Sequence, residues 1–484
     1  MSMSRVHEGE TLLLWFRRDL RVHDHPALIE AVGAARLLPL FVVDPALWDH
    51  PRTAPARRWF LAGSLAALDE ALRARGSRLI VRHGRPEEIV PALAAEVGAR
   101  IVLGSRDVTP GARRRDRAVA ESLSAAGRSL RLRRGLLLAE PETLSGRTGQ
   151  GYTVFTPFWK AVAAADRRSV LGAPEVLPPL PDGIESDPLP VVPRPALRDL
   201  PEPGEAAARA RLDAWAAGGM AGYADHRNDL GGTPTSHLSQ DLHLGLLSPV
   251  EIEARAPGAG SGEAYRRQLG WRDFYHHLLY WRPELARAPF QARYEAAFRP
   301  ESADPEAAVA WREGRTGIPV VDAGMRQLSA TGWLPNRARL IVASFLTRHL
   351  LLDWRVGEDH FMRTLVDGDL ANNVGGWQWT AGVGTDAQPW FRIFNPVLQG
   401  ERFDPDGSWV RTWVPELAKL PAPVIHRPWT LSRAEQELVK VVIGRDYPAP
   451  IVNLDEARDR ALAAFKATTG EATGEATGEP APAG

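Results

Sequence analysis

Residues 12–16 read LLLWF, and three more apolar runs follow: LLPLFVVD (37–44), RLIVRHG (78–84) and RIVLGSRD (100–107). Each run has the length and the apolar composition of a buried strand. Between the second and third runs, leucines recur at helical spacing: Leu61, Leu65, Leu68 and Leu72. Strands that alternate with helices pair in parallel, because each helix crosses back over the sheet. The sequence therefore predicts an α/β N-terminal domain with a doubly wound parallel sheet over residues 1–135.

The rest of the chain predicts a linker and an all-α domain. Ten of the 40 prolines lie between Gly172 and Glu205, a density that no packed element tolerates, so residues 136–205 are predicted to be an interdomain linker. Residues 206–466 carry helical patterns without strand patterns. In one predicted helix three apolar residues share a face: Ile341, Phe345 and Leu352. The low-complexity residues 467–484 are predicted to form a disordered tail.

Composition excludes several classes of protein. Lys plus Arg and Asp plus Glu each number 59 among 484 residues, so the chain lacks the basic excess of a protein that coats nucleic acid indiscriminately. The absence of cysteine excludes disulfides, cysteine-ligated zinc, iron–sulfur clusters and thiol catalysis. No HExxH, GxSxG or P-loop motif occurs, and no metal site is predicted. Without a membrane-spanning apolar run or a signal-peptide core, we expect a cytoplasmic protein.

Aromatic and polar residues are concentrated in the helical half. Ten of the 16 tryptophans lie within residues 271–413, which suits either core packing or a stacking and redox role. TPTSHLS (233–239) suits either a helix N-cap or a phosphate site. DGDLANNVGGWQW (367–379) suits either helix caps or a site for a planar heterocycle. WLPNRARL (333–340) and FRIFNP (391–396) place arginine beside aromatic residues, as in sites that hold phosphates while bases stack.

Several motifs together resemble the DNA photolyase/cryptochrome family. The chain is most similar to microbial class I photolyases, which repair cyclobutane pyrimidine dimers, and the resemblance covers roughly residues 10–460. Its motifs are WFRRDLRVHDHPAL (15–28), TPTSHLS, GWRDFYHHLLY (270–280), WREGRTGIPVVDAGMRQLSATGW (311–333), DGDLANNVGGWQW and FRIFNPVLQGERFDPDG (391–407).

The resemblance implies FAD in the helical domain. The residues implied to hold its phosphates and adenosine side are Tyr223, Thr235, Ser236, His237, Leu238 and Ser239, and those implied to line its ribityl and ring side are Asp367, Gly368 and Asp369. Arg339 is implied to pair with an acid beside the ring, here Asp367, and Asn373 to face flavin N5. A second, antenna chromophore is left undecided between folate and deazaflavin. Gly111 and Ala112 stand where some relatives grip folate, which disfavours that binding mode.

The resemblance also implies light-driven repair of UV-damaged DNA by a monomer with no membrane partner. Photoexcited reduced FAD gives an electron to a pyrimidine dimer that has flipped out of the duplex. The residues implied to contact DNA phosphates are Arg227, Arg337 and Arg392, and those implied to contact the lesion are Gln268, Trp271, Asn336 and Trp379. The implied catalytic set is Gln268, Trp271, Asn336 and Asn373.

Three departures from the family pattern keep alternatives open. Trp377 and Trp354 match the proximal and middle members of the electron-transfer chain, whereas Glu301 stands at the distal position. Gln268 replaces a glutamate of the lesion pocket, and Leu340 replaces a methionine. Because Gln268 is similar to relatives that repair (6–4) photoproducts, that activity and a cryptochrome-type blue-light receptor are retained as alternatives.

Overall fold

The structure, a computed structural model, describes residues 9–469 except 145, 147, 148, 150, 233, 234, 257, 388 and 390. The strands of its sheet are β1 (Thr11–Phe16), β2 (Arg36–Val43), β3 (Ile80–His83), β4 (Ile101–Ser105) and β5 (Ser129–Arg133). All neighbours pair in parallel, in the order β3-β2-β1-β4-β5. The predicted fold class is therefore confirmed. The order reverses between β1 and β4, which leaves a crevice at the carboxyl ends of these two strands.

The first eleven helices precede residue 288. They are α1 (Pro26–Ala31), α2 (Pro45–Trp48), α3 (Pro55–Arg73), α4 (Pro86–Glu96), α5 (Pro110–Ala125), α6 (Phe155–Ala164), α7 (Glu205–Ala217), α8 (Tyr223–His226), α9 (Ser239–Leu244), α10 (Pro249–Arg255) and α11 (Ser261–Trp281). The predicted leucine stripe lies on α3, where Leu65, Leu68 and Leu72 are buried.

The later helices are α12 (Pro305–Arg312), α13 (Pro319–Thr331), α14 (Asn336–Ser344), α15 (Trp354–Thr364), α16 (Leu370–Ala381), α17 (Pro396–Phe403), α18 (Ser408–Trp413), α19 (Ala422–Ile425), α20 (Arg433–Leu438) and α21 (Leu454–Thr469). The predicted helix through Ile341 and Leu352 is wrong. After α14 the chain forms a π-helical turn, Phe345–His349, and Leu351 then takes a φ of +54°. The extra residue of a π turn ends the regular period, so Leu352 does not continue the face of Ile341.

Short 3-10 turns lie at Pro141–Thr143, Gly219–Gly222, Pro283–Ala286, Ala292–Ala297, Glu301–Ala303, Pro415–Leu417 and Pro428–Thr430. No helix or strand occurs between Ala165 and Gly204, whereas α6 lies inside the predicted linker. The predicted tail begins within α21, and its residues 470–484 lie outside the described residues. Within the described ranges, no helix is long and apolar enough to cross a membrane.

Contacts divide the chain into two compact units. The first comprises residues up to Arg287 with Arg326–Arg337 and Glu358–Gly375, and the second comprises Ala288–Met325, Ala338–Gly357 and the residues from Gly376 onward. The first unit contains the whole sheet together with α7–α11. The predicted borders of the domains and of the linker stay predictions.

Candidate functional site

The predicted phosphate segment lies in the first unit and leads into α9. The hydroxyl of Thr235 is buried and has no hydrogen-bond partner among the described residues. Ser236 Oγ accepts from the hydroxyl of Tyr265 at 2.8 Å. The N-cap of α9 is Leu238, which makes no side-chain cap bond, so the N-cap interpretation is wrong for the hydroxyls of residues 235–239, whereas Thr233 lies outside the described residues. A buried hydroxyl without a partner is costly unless a ligand satisfies it, and this fits the phosphate interpretation.

Aromatic residues surround this segment. His237, with a φ of +50°, stacks on Trp333 at 4.0 Å between ring centroids, and Trp333 Nε1 donates to Ser239 Oγ at 3.4 Å. A positive φ outside glycine is uncommon and marks a locally constrained backbone. Burial raises the pKa of Tyr223 to about 12, so its phenol stays a neutral donor. Trp333 belongs to a motif that the sequence analysis singled out, but its role beside His237 was not predicted.

Asp369 combines a cap with a charge cluster at the start of α16. Its Oδ1 accepts from the backbone N–H and the side-chain amide of Asn372, at 3.0 and 2.7 Å, so the cap interpretation holds for this residue. Its Oδ2 accepts from Arg18 at 2.6 Å and lies 3.5 Å from His276 Nε2. Burial works to raise the pKa of Asp369, but His276 and Arg18 hold it well below its ordinary value. Asp369 therefore stays ionised.

Arg57 lies against the backbone beside Asp367. It donates to the carbonyl oxygens of Leu365 and Gly368 at 3.1 and 3.2 Å, and a side chain at Gly368 would collide with its guanidinium. Burial lowers the pKa of Arg57 to about 10, and the charge of Asp367 opposes this shift. The predicted partner of Asp367, Arg339, belongs to the second unit, and their pairing stays a prediction.

Asn373 is buried on α16 and its amide group is bound to one neighbour. Its Nδ2 donates to the backbone oxygen of Glu358 at 2.9 Å and to the Glu358 carboxylate at 3.0 Å. Both oxygens of that carboxylate accept from Arg52. Glu358 and Arg52 were not predicted. No motif signals them, because they are far apart in the sequence.

Trp271 is half-buried on α11 and one of its faces is covered. Phe155 lies parallel to it, with 3.9 Å between ring centroids and 7° between planes. The guanidinium of Arg267 lies over the Phe155 ring at 5.4 Å from the centroid. Gln268 is half-buried three residues before Trp271 on the same helix, which places both on adjacent turns. Phe155 was not predicted, although it begins a helix of high aromatic content.

Two of the predicted DNA contacts come together through Asn228. The NH2 group of Arg337 donates to Asn228 Oδ1 at 3.0 Å, and Arg227 immediately precedes Asn228 in the chain. Asn336 is exposed at the first position of α14. Arg227, Asn336 and Arg337 belong to the first unit, and all three are at least partly exposed.

The second unit holds the predicted electron-transfer residues. Trp377 is buried and meets Trp311 edge-to-face at 6.1 Å between centroids. Trp354 is buried, and the guanidinium of Arg355 lies 4.8 Å from its ring centroid. Glu301, at the distal position, pairs with Arg312 at 2.6 Å.

Trp379 is half-buried and Arg392 is exposed, and both also belong to the second unit. The second unit also includes the aromatic residues Trp390 and Tyr294. Trp390 lies outside the described residues, and Tyr294 is buried with Arg293 over its ring at 4.6 Å.

A narrow cleft lies at the crevice between β1 and β4. Its polar lining includes Arg18, which follows β1, Arg106 and Asp107, which follow β4, and Arg272 and His276 of α11. The cleft holds about 260 Å³, which is below the roughly 300–1,000 Å³ of small-molecule sites. Both kinds of antenna chromophore stay predictions.

The residues present fit FAD. The unpartnered hydroxyl of Thr235, the neutral phenol of Tyr223 and the amide of Asn373 offer polar atoms to phosphate, adenosine and ring edges. Among the described residues, no cluster of His, Asp and Glu could hold a metal ion. The individual roles of the predicted site residues stay predictions.

Comparison with known proteins identifies the family. A model described as "DNA photolyase" matches residues 12–181, and one described as "FAD binding domain of DNA photolyase" matches residues 265–467. The deoxyribodipyrimidine photo-lyase of Streptomyces griseus is 43% identical over 454 residues, covering 92% of this chain and 97% of its own.

Two solved structures are similar over nearly the whole chain. A class III photolyase from Agrobacterium tumefaciens has a TM-score of 0.90 at 38% identity and covers 97% of this chain and 100% of its own. A cryptochrome of Synechocystis sp. PCC6803 has a TM-score of 0.85 at 33% identity, covering 94% and 99%. The comparisons leave the predicted class I assignment a prediction, but the resemblance to the family is confirmed, and the chain, with its FAD-binding domain, belongs to the DNA photolyase family.

Proposed function

We propose that the protein uses light and reduced FAD to repair cyclobutane pyrimidine dimers in DNA. The observation that carries the proposal is the aromatic face of Trp271, which is backed by Phe155 and lies one helical turn from Gln268. A rigid ring beside a neutral amide suits a flipped pyrimidine, because the base needs stacking on its face and hydrogen bonds at its edge. The similarity to deoxyribodipyrimidine photo-lyases supports the same function.

Two arginines of the first unit have a separate proposed task. Arg227 and Arg337 are expected to hold backbone phosphates, which sets the position of the DNA without reading its sequence. Reduced FAD, when bound, supplies the electron that splits the dimer. Trp377 and Trp354 are proposed to supply electrons to the flavin itself, and Glu301 cannot extend that route because a carboxylate is not readily oxidised.

A blue-light receptor is the second candidate, and the similarity to the Synechocystis cryptochrome favours it. Repair of (6–4) photoproducts is a third candidate function, because Gln268 is similar to relatives that repair them. Its amide offers one donor group and one acceptor to a pyrimidine edge, whereas an ionised glutamate offers acceptors only.

The test is a repair assay with duplexes that carry one thymine dimer or one (6–4) photoproduct. We expect reduced protein to restore the dimer duplex in light and not in the dark. Trp271→Ala should weaken dimer binding by about 10–100-fold, because base–aromatic stacking contributes ~1–3 kcal/mol. Trp281→Ala removes a more exposed tryptophan from the same helix and should leave binding unchanged. Absence of light-dependent dimer repair by protein that retains FAD would refute the proposal.

A further inference from the structure

The amide of Asn373 can adopt only one orientation beside Glu358. Its two amide hydrogens point to the backbone oxygen and to the carboxylate of Glu358, at 2.9 and 3.0 Å. Turning the amide over would place its carbonyl oxygen against the same two acceptors, which is repulsive. The carbonyl oxygen of Asn373 is therefore the end that is directed away from Glu358.

The charge of Glu358 depends on Arg52. The carboxylate is buried, and its two oxygens both accept from the guanidinium NH2 of Arg52, whose Nε lies 3.3 Å from Asp359. Burial raises the pKa of Glu358, and the charge and hydrogen bonds of Arg52 counteract that rise. Arg52 belongs to the loop between α2 and α3, 306 residues before Glu358. A residue of the sheet-forming part of the chain thus controls an acid on α15.

Replacing Arg52 by a neutral residue would change the hydrogen-bonding groups that Glu358 presents to Asn373. A buried carboxyl without a countercharge takes up a proton, because burial disfavours its charged form. A protonated Glu358 would offer an O–H donor, which the carbonyl oxygen of Asn373 can accept. The backbone oxygen of Glu358 would then be the one remaining described acceptor for the amide hydrogens, so the rotated amide, with its NH2 group on the opposite side, would become more populated.

We propose that Arg52 is a positioning residue for flavin N5, because through Glu358 it holds Asn373 with its carbonyl oxygen toward the cofactor. The inference rests on the proposed function in one respect, the location of Asn373 beside N5. A carbonyl oxygen at that place accepts a hydrogen bond and favours a proton on N5, whereas an NH2 group favours N5 without one. Arg52 would thereby set the protonation state of N5 without touching the flavin.

The test is a reductive titration of the FAD-bound protein in the dark, followed by visible absorption. The ratio of flavin with and without a proton on N5 after one-electron reduction is the readout. Arg52→Gln should lower this ratio about tenfold, since hydrogen bonds to charged groups are among the strongest in proteins. Arg52→Lys keeps the charge and should restore most of the ratio. Glu358→Gln can offer Asn373 an N–H donor in place of a carboxylate and should also lower the ratio, and adding Arg52→Gln to it should change the ratio no further.

Arg363→Gln is the matched control. Arg363 also joins α15 to this loop, because its NH1 group donates to the backbone oxygen of Pro51 at 3.2 Å. Within α15 it pairs with Asp359, which also lies 3.3 Å from Arg52 Nε, and no described contact links it directly to Glu358. It should leave the ratio unchanged. An equal change in Arg363→Gln and Arg52→Gln would mean that loosening of the loop is responsible, and would overturn the proposal.

A second readout does not depend on the flavin. Selective 15N labelling of asparagine reports the side-chain amide of Asn373, whose protons should exchange slowly in the wild type and faster in Arg52→Gln. Unchanged exchange in that variant, or an unchanged spectrum while FAD stays bound, contradicts the inference. Neither measurement involves DNA, so a failure of dimer repair and a failure of this inference are distinguishable.

Discussion

Phe155 covers one face of Trp271, and Tyr275 lies tilted beside the same ring at 5.6 Å between centroids. The two parallel rings lie 3.9 Å apart, and the guanidinium of Arg267 lies over the Phe155 ring. Phe274 adds an edge contact to both rings. Since such pairs restrict ring rotation as well as burying area, Trp271 meets a ligand as a preorganised surface.

We therefore expect Phe155→Leu to weaken binding of dimer-containing DNA more than binding of undamaged DNA. Loss of the stacked ring should cost about 0.5–1.5 kcal/mol, or roughly two- to tenfold in the dissociation constant for the dimer duplex. Fluorescence anisotropy with matched damaged and undamaged duplexes measures both constants. Phe155→Tyr retains the ring and should behave as the wild type.

Phe158→Leu controls for lost volume on the same helix. Phe158 is fully buried and contacts Phe274 and His277, and no described ring contact joins it to Trp271. It should reduce stability by a similar amount while the preference for damaged DNA persists. If both variants lost that preference equally, the stack would have no special part in lesion binding.

At this scale the sequence predicts residue types better than it predicts contacts. The hydroxyls of TPTSHLS and the acids of DGDLANNVGGWQW stand out in the sequence because they are polar groups grouped beside aromatic residues. The pairing of Asp369 with Arg18, and of Glu358 with Arg52, joins residues more than 300 positions apart. No local pattern carries that information, since the partner is chosen only when the chain has folded.

At the scale of elements, the proline-rich segment protects the edge of the sheet. β3 is an edge strand, and its outward backbone groups are satisfied by this segment. Val81 N–H donates to Ser186 Oγ at 2.9 Å, Val81 O accepts from Asp187 N–H at 3.0 Å, and His83 N–H donates to Asp187 Oδ2 at 3.0 Å. Covering an edge in this way prevents pairing with another chain.

We predict that Asp187→Ala destabilises the fold by about 1–2 kcal/mol, because the N–H of His83 loses its acceptor. Hydrogen exchange of the peptide that carries β3 should rise at the same time. Asp182→Ala is the control, because Asp182 lies in the same segment but is largely exposed beside Arg36, where an ion pair contributes little. Unchanged exchange of β3 in Asp187→Ala would contradict the assignment of this segment as an edge cover.

The elements differ in how far the sequence could predict them. β1 to β4 are apparent because they are mostly buried and therefore apolar. β5, with the sequence SLRLR, lies at the opposite edge and is half-exposed, so its alternating arginines hide it from a search for apolar runs. The break after α14 has no glycine or proline to mark it, so no local pattern predicts the π turn.

At the scale of the whole molecule, formal charge is balanced, and several buried groups have strongly shifted pKa values. Only four of the 59 basic residues are lysine, and arginine keeps its charge at all accessible pH values. Burial lowers the pKa of three histidines to about 4: His243, His277 and His349. Burial raises the pKa of Glu140 to about 7 and that of Asp241 to about 6.

The two sets of groups act in opposite directions. The three histidines bind protons more tightly in the unfolded chain than in the folded chain. Protonation therefore favours unfolding, and the free energy of unfolding falls as the pH drops from about 6.5 to about 4. The two acids bind protons more tightly in the folded chain, so the stability that they add is present at low pH and is lost as the pH rises through about 6 to 7. The pH dependence of stability is the sum of these contributions, so single substitutions are needed to measure each one.

His277 is the best group for this test, because it accepts a hydrogen bond from the N–H of Tyr152 at 2.8 Å and glutamine can replace that acceptor. We predict that His277→Gln lowers the slope of unfolding free energy against pH by up to about 1.4 kcal/mol per pH unit between about pH 4 and 6.5, or ~3 kcal/mol over the interval. Urea unfolding at a series of pH values measures the slope. His226→Gln, at an exposed position, should leave it as in the wild type. A His277→Gln protein with the wild-type slope would show that His277 takes up its proton without unfolding, and that its burial does not govern the acid sensitivity of the fold.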